Sequence, residues 1–390
     1  MLELAASISK EQGLIQGELG SVLVGLGIAA YIATRFRISV VPIFLVAGLF
    51  FGNGGLVALE LSDAFLDLGA QWGAILLLLM LGLEYSAEEL FGSVKKRKSA
   101  GVVDLLLNFA PGMAFGLIFG WGWVGALTLG GITYVSSSGI ASQLIKDSRL
   151  ESKESTKRAV SILIVEDLFL APYLPVVSAL LATLGVLSGF ISVSIALLIT
   201  GIALIIGAKG IHIPHAPMIM GDTSTVLLTV FGSALVASGL ATYFGFSGAI
   251  AAFLVGLLLT GDVAIVARVR LAPLRDLFSA IFFLFFGLST NPADIPAVLL
   301  PAIALAAFGV ATKWLTAWWV VRGLDEENAV WNAAALLIPR GEFSMVIAGL
   351  AATSLFAVEL QALTLTYVII TTLVSTLMMR VINSKKLPNK

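Results

Sequence analysis

The chain is cut into membrane-length pieces by its own charges. Breaking the apolar runs at charged or Gly/Pro-rich points gives thirteen candidate spans, at about 17–34, 38–52, 68–84, 100–120, 123–145, 157–180, 183–208, 222–241, 245–260, 271–289, 295–321, 328–353 and 361–383. A hydrocarbon core of about 30 Å takes roughly 20 apolar residues per helix, so runs of this length read as crossings. Composition agrees. Of 390 residues 58% are hydrophobic and only 12% charged, with mean hydropathy +1.02, where soluble domains carry about 25% charged residues. The expectation is an all-α membrane protein embedded in lipid.

The basic residues test the count, because cytoplasmic loops are enriched in Lys and Arg. With the N-terminus outside and strict alternation, 20 of the 23 basic residues fall inside, Lys10 falls outside, and Lys313 and Arg340 lie within spans. The inside set includes the "KKRK" run Lys95 to Lys98, the cluster from Lys146 to Arg158, and Arg268, Arg270 and Arg275. A wrong count would scramble this alternation, so the reading is thirteen spans, N-terminus out and C-terminus in.

Other classes fall away on composition. A net charge of −1 offers nothing to a nucleic acid or another polyanion, and with no cysteine there are no disulfides, thiolate metal sites or thiol catalysis. The first eighteen residues are polar and mildly acidic, without the basic head and apolar centre of a signal peptide. No loop is long enough to fold alone. The expected organisation is one transmembrane domain over 1–390 with no soluble regulatory domain.

Inside it lies a repeat. The third span ends "LLLLMLGLEYS" and the tenth "IFFLFFGLSTN"; the second contains "PIFLVAGLFFGNG" and the ninth "AIAAFLVGLLLTGD". The fifth and twelfth are both interrupted by polar residues, "TYVSSSGIASQ" and "LIPRGEFSM". Matching spans lie seven helices apart, an odd number, so the second copy (about 245–383) crosses in the opposite sense to the first (about 38–180). Interrupted helices at matching positions of an inverted repeat point to the binding site of a secondary transporter.

Ionisable residues inside the membrane are functional candidates by default. The sixth span carries two side by side, Glu166 and Asp167 in "SILIVEDLFLAP". Glu166 lies nine residues in from the cytoplasmic end, roughly 14 Å deep and near the midplane. Adjacent residues project about 100° apart on a helix, so one acid can face an ion pathway while the other faces a neighbouring helix. Burial and like charge both favour the neutral acid, so a proton or a metal cation must neutralise at least one of them. Two positive occupants competing for one site is the chemistry of proton-coupled cation exchange.

Other polar residues take supporting parts. Lys313, eight residues before the inner end of its span, is too deep to snorkel easily and is the expected ion-pair partner for one acid. Arg340 and Glu342 flank a break made by Pro339 and Gly341, and a local Arg–Glu pair closing that break is the expectation. Thr133, Ser136, Ser137 and Ser138 offer the hard oxygens that alkali cations prefer. Glu84 is expected to mark the interface, Asp104 and Asn108 to form an interfacial pair at the inner end of the fourth span, and His212 and His215 to lie in an inside turn.

These residues and motifs give a resemblance. "IVEDLFLAP", "VSSSGIASQL", "LLMLGLEYS", "FFLFFGLS" and "PRGEFSMVIAGLA" resemble the monovalent cation:proton antiporter-2 family, and within it the bacterial potassium:proton antiporters of the Kht and Kef types, over residues 17 to 383. The resemblance implies a sodium/proton antiporter-like fold with two interrupted helices that cross. It implies that Asp167 is the carboxylate that binds the monovalent cation and the proton, that Glu166 occupies a position varying between acid and amide, and that Lys313 pairs with it. It also implies a homodimer, an elevator-like core, a bacterial plasma-membrane location and no cofactor beyond the transported K⁺ or Na⁺ and H⁺. The chain ends at Lys390 without the nucleotide-binding domain of the Kef type, so the regulator is expected to be a separate cytoplasmic subunit, as in the Kht type. The acidic pair with Lys313 also suits sodium exchange.

Rival classes fit worse. A cation channel needs a ring of selectivity elements around a symmetric pore. An intramembrane aspartyl protease needs facing aspartates, whereas the Gly-Asp pairs at Asp222 and Asp262 lie at helix ends. A serine hydrolase lacks an intramembrane histidine, and a primary pump lacks a P-loop.

Overall fold

The structure is a computed structural model that describes residues 2–36, 38–52, 54–55, 63–84, 87–182, 222–243, 246–259 and 261–384, with isolated positions between 194 and 205. The seventh predicted span, Lys209 and both histidines lie outside the described residues, apart from those isolated positions. The described elements are all helical: α1 (Leu2–Phe36), α2 (Val40–Phe51), α3 (Asp63–Glu84), α4 (Ala87–Ile118), α5 (Gly122–Tyr134), α6 (Ser138–Ser148), α7 (Glu154–Leu181), α8 (Thr223–Tyr243), α9 (Gly248–Leu258), α10 (Asp262–Leu288), α11 (Ile295–Val321), α12 (Ala329–Leu337), α13 (Glu342–Leu350) and α14 (Ala357–Ser384). A single 3₁₀ turn, Pro292–Asp294, leads into α11.

Among the described residues, eight helical stretches are long and apolar enough to cross a membrane, and four shorter apolar helices accompany them. Two of the eight are the interrupted spans, each made of two helices in line: α5 with α6, and α12 with α13. Helices also run past the apolar limits. α4 begins at Ala87, so the basic run Lys95 to Lys98 is helical backbone rather than loop.

The helices pack in two groups. In one, α2 and α3 lie against α10, and α3 also against α9, with α8 on α9 and α10. In the other, α4, α5, α6, α7, α11, α12, α13 and α14 pack on one another. The most extensive direct packing between the groups is α14 on α2.

The first group is held by backbone contacts made at glycines. A Cβ on Gly48 of α2 would lie 2.6 Å from Gly287 Cα of α10, and one on Gly82 of α3 would lie 2.8 Å from Gly256 Cα of α9. Each of these glycines also meets the carbonyl three residues before its partner: Leu284 for Gly48, Phe253 for Gly82, Leu79 for Gly256 and Leu45 for Gly287. Small residues let helix backbones approach where the surrounding lipid is as apolar as the side chains. The glycines that stood out as matched pairs in the sequence are the contact points, and one arrangement occurs twice.

The second group wraps the two interruptions. Helix α5 ends at Tyr134, just before three consecutive serines, Ser136 to Ser138, whose hydroxyls offer alternatives to backbone hydrogen bonds. Helix α12 ends before Pro339, which has no N–H with which to continue the helical hydrogen-bond ladder. The two broken segments touch, because Ser137 N–H donates to Pro339 O at 2.8 Å.

Candidate functional site

Each break frees carbonyls at the C-terminal end of one half-helix and amides at the N-terminal end of the next. Arg340 serves the carbonyls of both. Its Nε and one terminal nitrogen donate to Thr133 O at 3.0 and 2.8 Å, and the other terminal nitrogen to Leu337 O and Ile338 O, each at 2.9 Å. The side chain is fully buried, with its guanidinium 6.0 Å from the ring centre of Tyr367. A fixed cation thus sits where the negative ends of α5 and α12 converge.

Glu342 serves the opposite ends. As the first residue of α13 it accepts a hydrogen bond from Ser137 Oγ at 2.7 Å and one from Gly139 N–H at 3.4 Å, at the start of α6. The expected local Arg340–Glu342 pair does not form. Each charge instead meets helix ends of opposite sign, which an ion pair between the two would have left unmatched.

Glu166 and Asp167 lie on α7, held to its neighbours by an aromatic cluster of Phe109, Tyr134, Phe169 and Tyr173. Glu166 is completely buried and both its oxygens are engaged. Oε1 accepts from Lys313 Nζ at 2.8 Å, and Oε2 from Ser136 N–H at 2.5 Å. Ser136 Oγ lies 2.6 Å from Leu337 O and 3.2 Å from Glu166 Oε1, so its one proton links the acid or the second break to the first.

Lys313 has a second partner. Its Nζ also donates to Asp104 Oδ1 at 2.8 Å, and Lys313 and both acids are 0% exposed. Asn108, one turn on from Asp104, donates to the same Oδ1 at 2.9 Å and accepts from Thr312 Oγ1 at 2.8 Å. The expected interfacial pair Asp104–Asn108 is therefore a buried one. Since α4 is already helical through the basic run, Asp104 lies six residues beyond Lys98, roughly 9 Å deeper at 1.5 Å per residue.

Asp167 turns elsewhere. It lines a cavity of about 270 Å³ with Ser138, Ser142 and Ile145 of α6, Val160, Leu163 and Ile164 of α7, Glu84 of α3 and Arg268 of α10. Every α7 residue in that lining besides Asp167 precedes it, and the α6 residues run toward Lys146, so the cavity extends from Asp167 toward the basic ends of these helices. Its walls belong to both packed groups, with Glu84 and Arg268 supplied by the glycine-bolted one.

The proposed oxygen ligands divide accordingly. Ser138 shares the cavity with Asp167. Ser136 faces Glu166, and Ser137 faces Glu342. Thr133 spends its carbonyl on Arg340 and its hydroxyl on Asn108 O at 2.9 Å. Glu84, expected only to mark the interface, is a wall of the cavity.

Two parts of this arrangement were not read from the sequence. The Asp104–Lys313 bond had one available signal: Asp104 and Asn108 at i, i+4 facing Thr312, Lys313 and Thr316, a second polar stripe on a second span. The place of Arg268 opposite Asp167 had none, since it looked like one loop arginine among three.

Three comparisons with known proteins bear on this geometry. A family model described as "Sodium/hydrogen exchanger, transmembrane" matches residues 19–384. Among curated proteins, the chain is 27% identical over 90% of both lengths to the K(+)/H(+) antiporter subunit KhtU of Bacillus subtilis, and 29% identical over 87% of both lengths to the ammonium/H(+) antiporter subunit AmhT of Alkalihalophilus pseudofirmus. It is also 28% identical to the putative cation/proton antiporter YbaL of Escherichia coli, over 83% of this chain and 60% of that protein. Among solved structures, the sodium proton antiporter MjNhaP1 of Methanocaldococcus jannaschii superposes with a TM-score of 0.68 at 20% identity, covering 95% of this chain and 99% of that one, and so shares its fold.

Proposed function

The chain belongs to the sodium/hydrogen exchanger family of transmembrane antiporters, and on that premise we propose that it exchanges potassium for protons by alternating access at Asp167. Monovalent cation:proton antiport follows from the family. Potassium is the finer reading, supported by the likeness to a K(+)/H(+) antiporter subunit over nearly the whole chain, and sodium is the alternative.

One observation carries the assignment to Asp167. Of the two adjacent acids, Glu166 is saturated by Lys313 and Ser136 in an enclosed node, while Asp167 lines a cavity between the two packed groups. A carboxylate there can hold a dehydrated cation with Ser138 beside it, or a proton, but not both. Arg340 and Glu342 hold the helix ends around it, and Glu166 with Lys313 balances charge behind it.

In this reading the chain crosses the membrane thirteen times with its N-terminus outside, as two inverted repeats in one domain. The basic ends of α6 and α7 then lie in the cytoplasm, and the cavity opens Asp167 to that side. The sparse packing between the groups suits a core that slides against a fixed scaffold. The scaffold face is the surface for a homodimer, in the plasma membrane of a bacterium. A separate cytoplasmic regulator fits relatives that are themselves named as subunits.

Purified protein in liposomes carrying a pH-sensitive dye tests this. Added potassium should discharge an imposed proton gradient, with rubidium following potassium and sodium weaker. A response to sodium with none to potassium would replace the ion, and no response to any cation would remove the antiport reading.

A further inference from the structure

Away from Asp167, the second packed group carries a groove of about 750 Å³ between α11, α12 and α14. It arises from side-chain size along α11: Ala306, Ala307, Val310 and Ala311 are small, whereas Ile303 before them and Trp314 after them are large. Apolar residues of α14 and Trp331 and Ile338 of α12 complete the lining, which holds no charged side chain. The α11 members recur every three or four residues from Ile303 to Leu315, one stripe of the helix roughly 18 Å long at 1.5 Å per residue. One hydrocarbon leaflet is about 15 Å deep.

The stripe continues beyond the groove and ends on a cation. Four residues after Trp314 comes Trp318, and four after that Arg322, just past the end of α11. The Arg322 guanidinium lies 5.6 Å from the ring centre of Trp318 and 6.0 Å from that of Trp319, and all three residues are exposed. Among the described residues it makes no ion pair; Asp325 and Glu327 of the following loop do not reach it, and Glu326 turns to Ser155. Tryptophan and arginine at the end of an apolar stripe mark the depth of lipid headgroups, and a planar guanidinium matches the oxygens of a phosphate. An apolar groove of leaflet depth that leads to a cation has the outline and charge of one phospholipid: a chain along α11 and a phosphate at its end.

We propose that the groove holds one acyl chain of a resident anionic phospholipid, from the leaflet at the C-terminal end of α11, with its phosphate on Arg322. All of its lining belongs to the second packed group, so the lipid moves with that group. The chain also meets the second interruption. Ile338, part of the lining, immediately precedes Pro339, and its carbonyl accepts from Arg340 at 2.9 Å. The lipid therefore braces the end of α12 on the side where protein leaves it open. The inference needs only that the chain sits in lipid, and it is independent of which ion moves and which acid carries it.

Delipidated protein titrated with dioleoyl phosphatidylglycerol or dioleoyl phosphatidylcholine, and read by native mass spectrometry, tests it. The wild type should take one tight phosphatidylglycerol per chain, at least about fivefold tighter than phosphatidylcholine, the preference that one basic residue supplies at an anionic headgroup. Arg322→Gln should bring the two lipids to parity, with phosphatidylcholine binding unchanged. Ala307→Phe combined with Ala311→Phe fills the groove from two exposed positions and should abolish tight binding of both lipids. Phosphatidylglycerol should raise the melting temperature of the wild type and leave that of the double variant unmoved, since a ligand stabilises only the fold that binds it. A wild type that binds neither lipid tightly, or both alike, would overturn the proposal, as would a filled groove that still holds phosphatidylglycerol. So would a double variant that loses a dimer and keeps its lipid, which would give the groove to a second copy of the chain. If the double variant does not fold, Arg322→Gln decides, and an undiminished preference for phosphatidylglycerol there overturns the assignment.

Discussion

Glu166 and Asp167 are neighbours on one helix, and they inhabit different chemistries. On the Glu166 side, two acids and a lysine from three helices close on one another with no exposed atom. On the Asp167 side, the carboxylate shares about 270 Å³ of space with serines, Glu84 and Arg268. What differs is the wall. The Glu166 side is walled entirely by its own packed group, whereas the cavity borrows residues from the other. A site whose walls belong to two groups can be opened by moving one of them, and a site enclosed within one group cannot.

Breaking the contrast at Asp167 should have the largest effect. Asp167→Asn keeps the shape and removes the exchangeable charge, so cation-dependent proton movement should fall at least about 100-fold, to the level of empty liposomes. The melting temperature in detergent should change little. An Asn variant that still exchanges would move the carrier site elsewhere.

The Glu166 side should break as a matter of stability. Lys313→Met leaves Glu166 buried without its cation, and removing one partner of such a pair costs about 3–5 kcal/mol. Adding Glu166→Gln to the same chain should return much of that loss, as thermal melting of the single and double variants would show. An additive double variant would mean that the two side chains are not coupled.

Sharpening the contrast at the cavity calls for a smaller change. Arg268 is a fixed positive charge lining the cavity proposed to receive the cation, so Arg268→Gln should lower the apparent KM for the cation about three- to tenfold, with the maximal rate kept. A changed maximal rate at constant KM would place Arg268 in the moving step instead.

The smallest effect lies at the base of α7. Glu326, in the loop between α11 and α12, accepts from Ser155 N–H at 3.1 Å and from Ser155 Oγ at 2.6 Å, capping the helix that carries both acids. Partial burial works against its charge, but the two bonds from Ser155, with Lys153 nearby, outweigh it and hold the carboxyl below its ordinary 4.5. A lowered value in the folded state means stability that is present above 4.5 and lost as pH falls through the folded value. Glu326→Gln should therefore melt slightly lower than the wild type at neutral pH, and the gap should close as the pH falls below 4.5 and through the lowered folded value. A gap that persists in acid would show that the cap does not depend on charge.

How legible these regions were follows from what makes them. The membrane class, the interrupted helices and the adjacent acids are written locally: apolar length, a proline or a run of serines, two carboxylates in an apolar stretch. The match of Gly48, Gly82, Gly256 and Gly287 was visible as a repeat, though not that they touch in pairs. Two features stayed hidden. Asp104 looked interfacial because its helix was taken to begin at the end of the basic run, and its partner lies 209 positions away. Arg340 and Glu342 looked like each other's partners because they are close in sequence. The competing claim came from helix-end dipoles, whose convergence is a property of the crossing.

The glycine contacts bear on how the protein is made. Helices α2 and α3 leave the ribosome early, yet the backbones they press against belong to α10 and α9, which are delivered only after α4 to α8 have been synthesised. Until then the close-packing faces at Gly48 and Gly82 have only lipid to meet. Contacts spanning so much sequence form late and slowly, so neither half can complete its scaffold alone. Separately expressed halves should assemble only when co-inserted, and the first half by itself should offer the membrane's quality-control proteases a long-lived, unfinished surface.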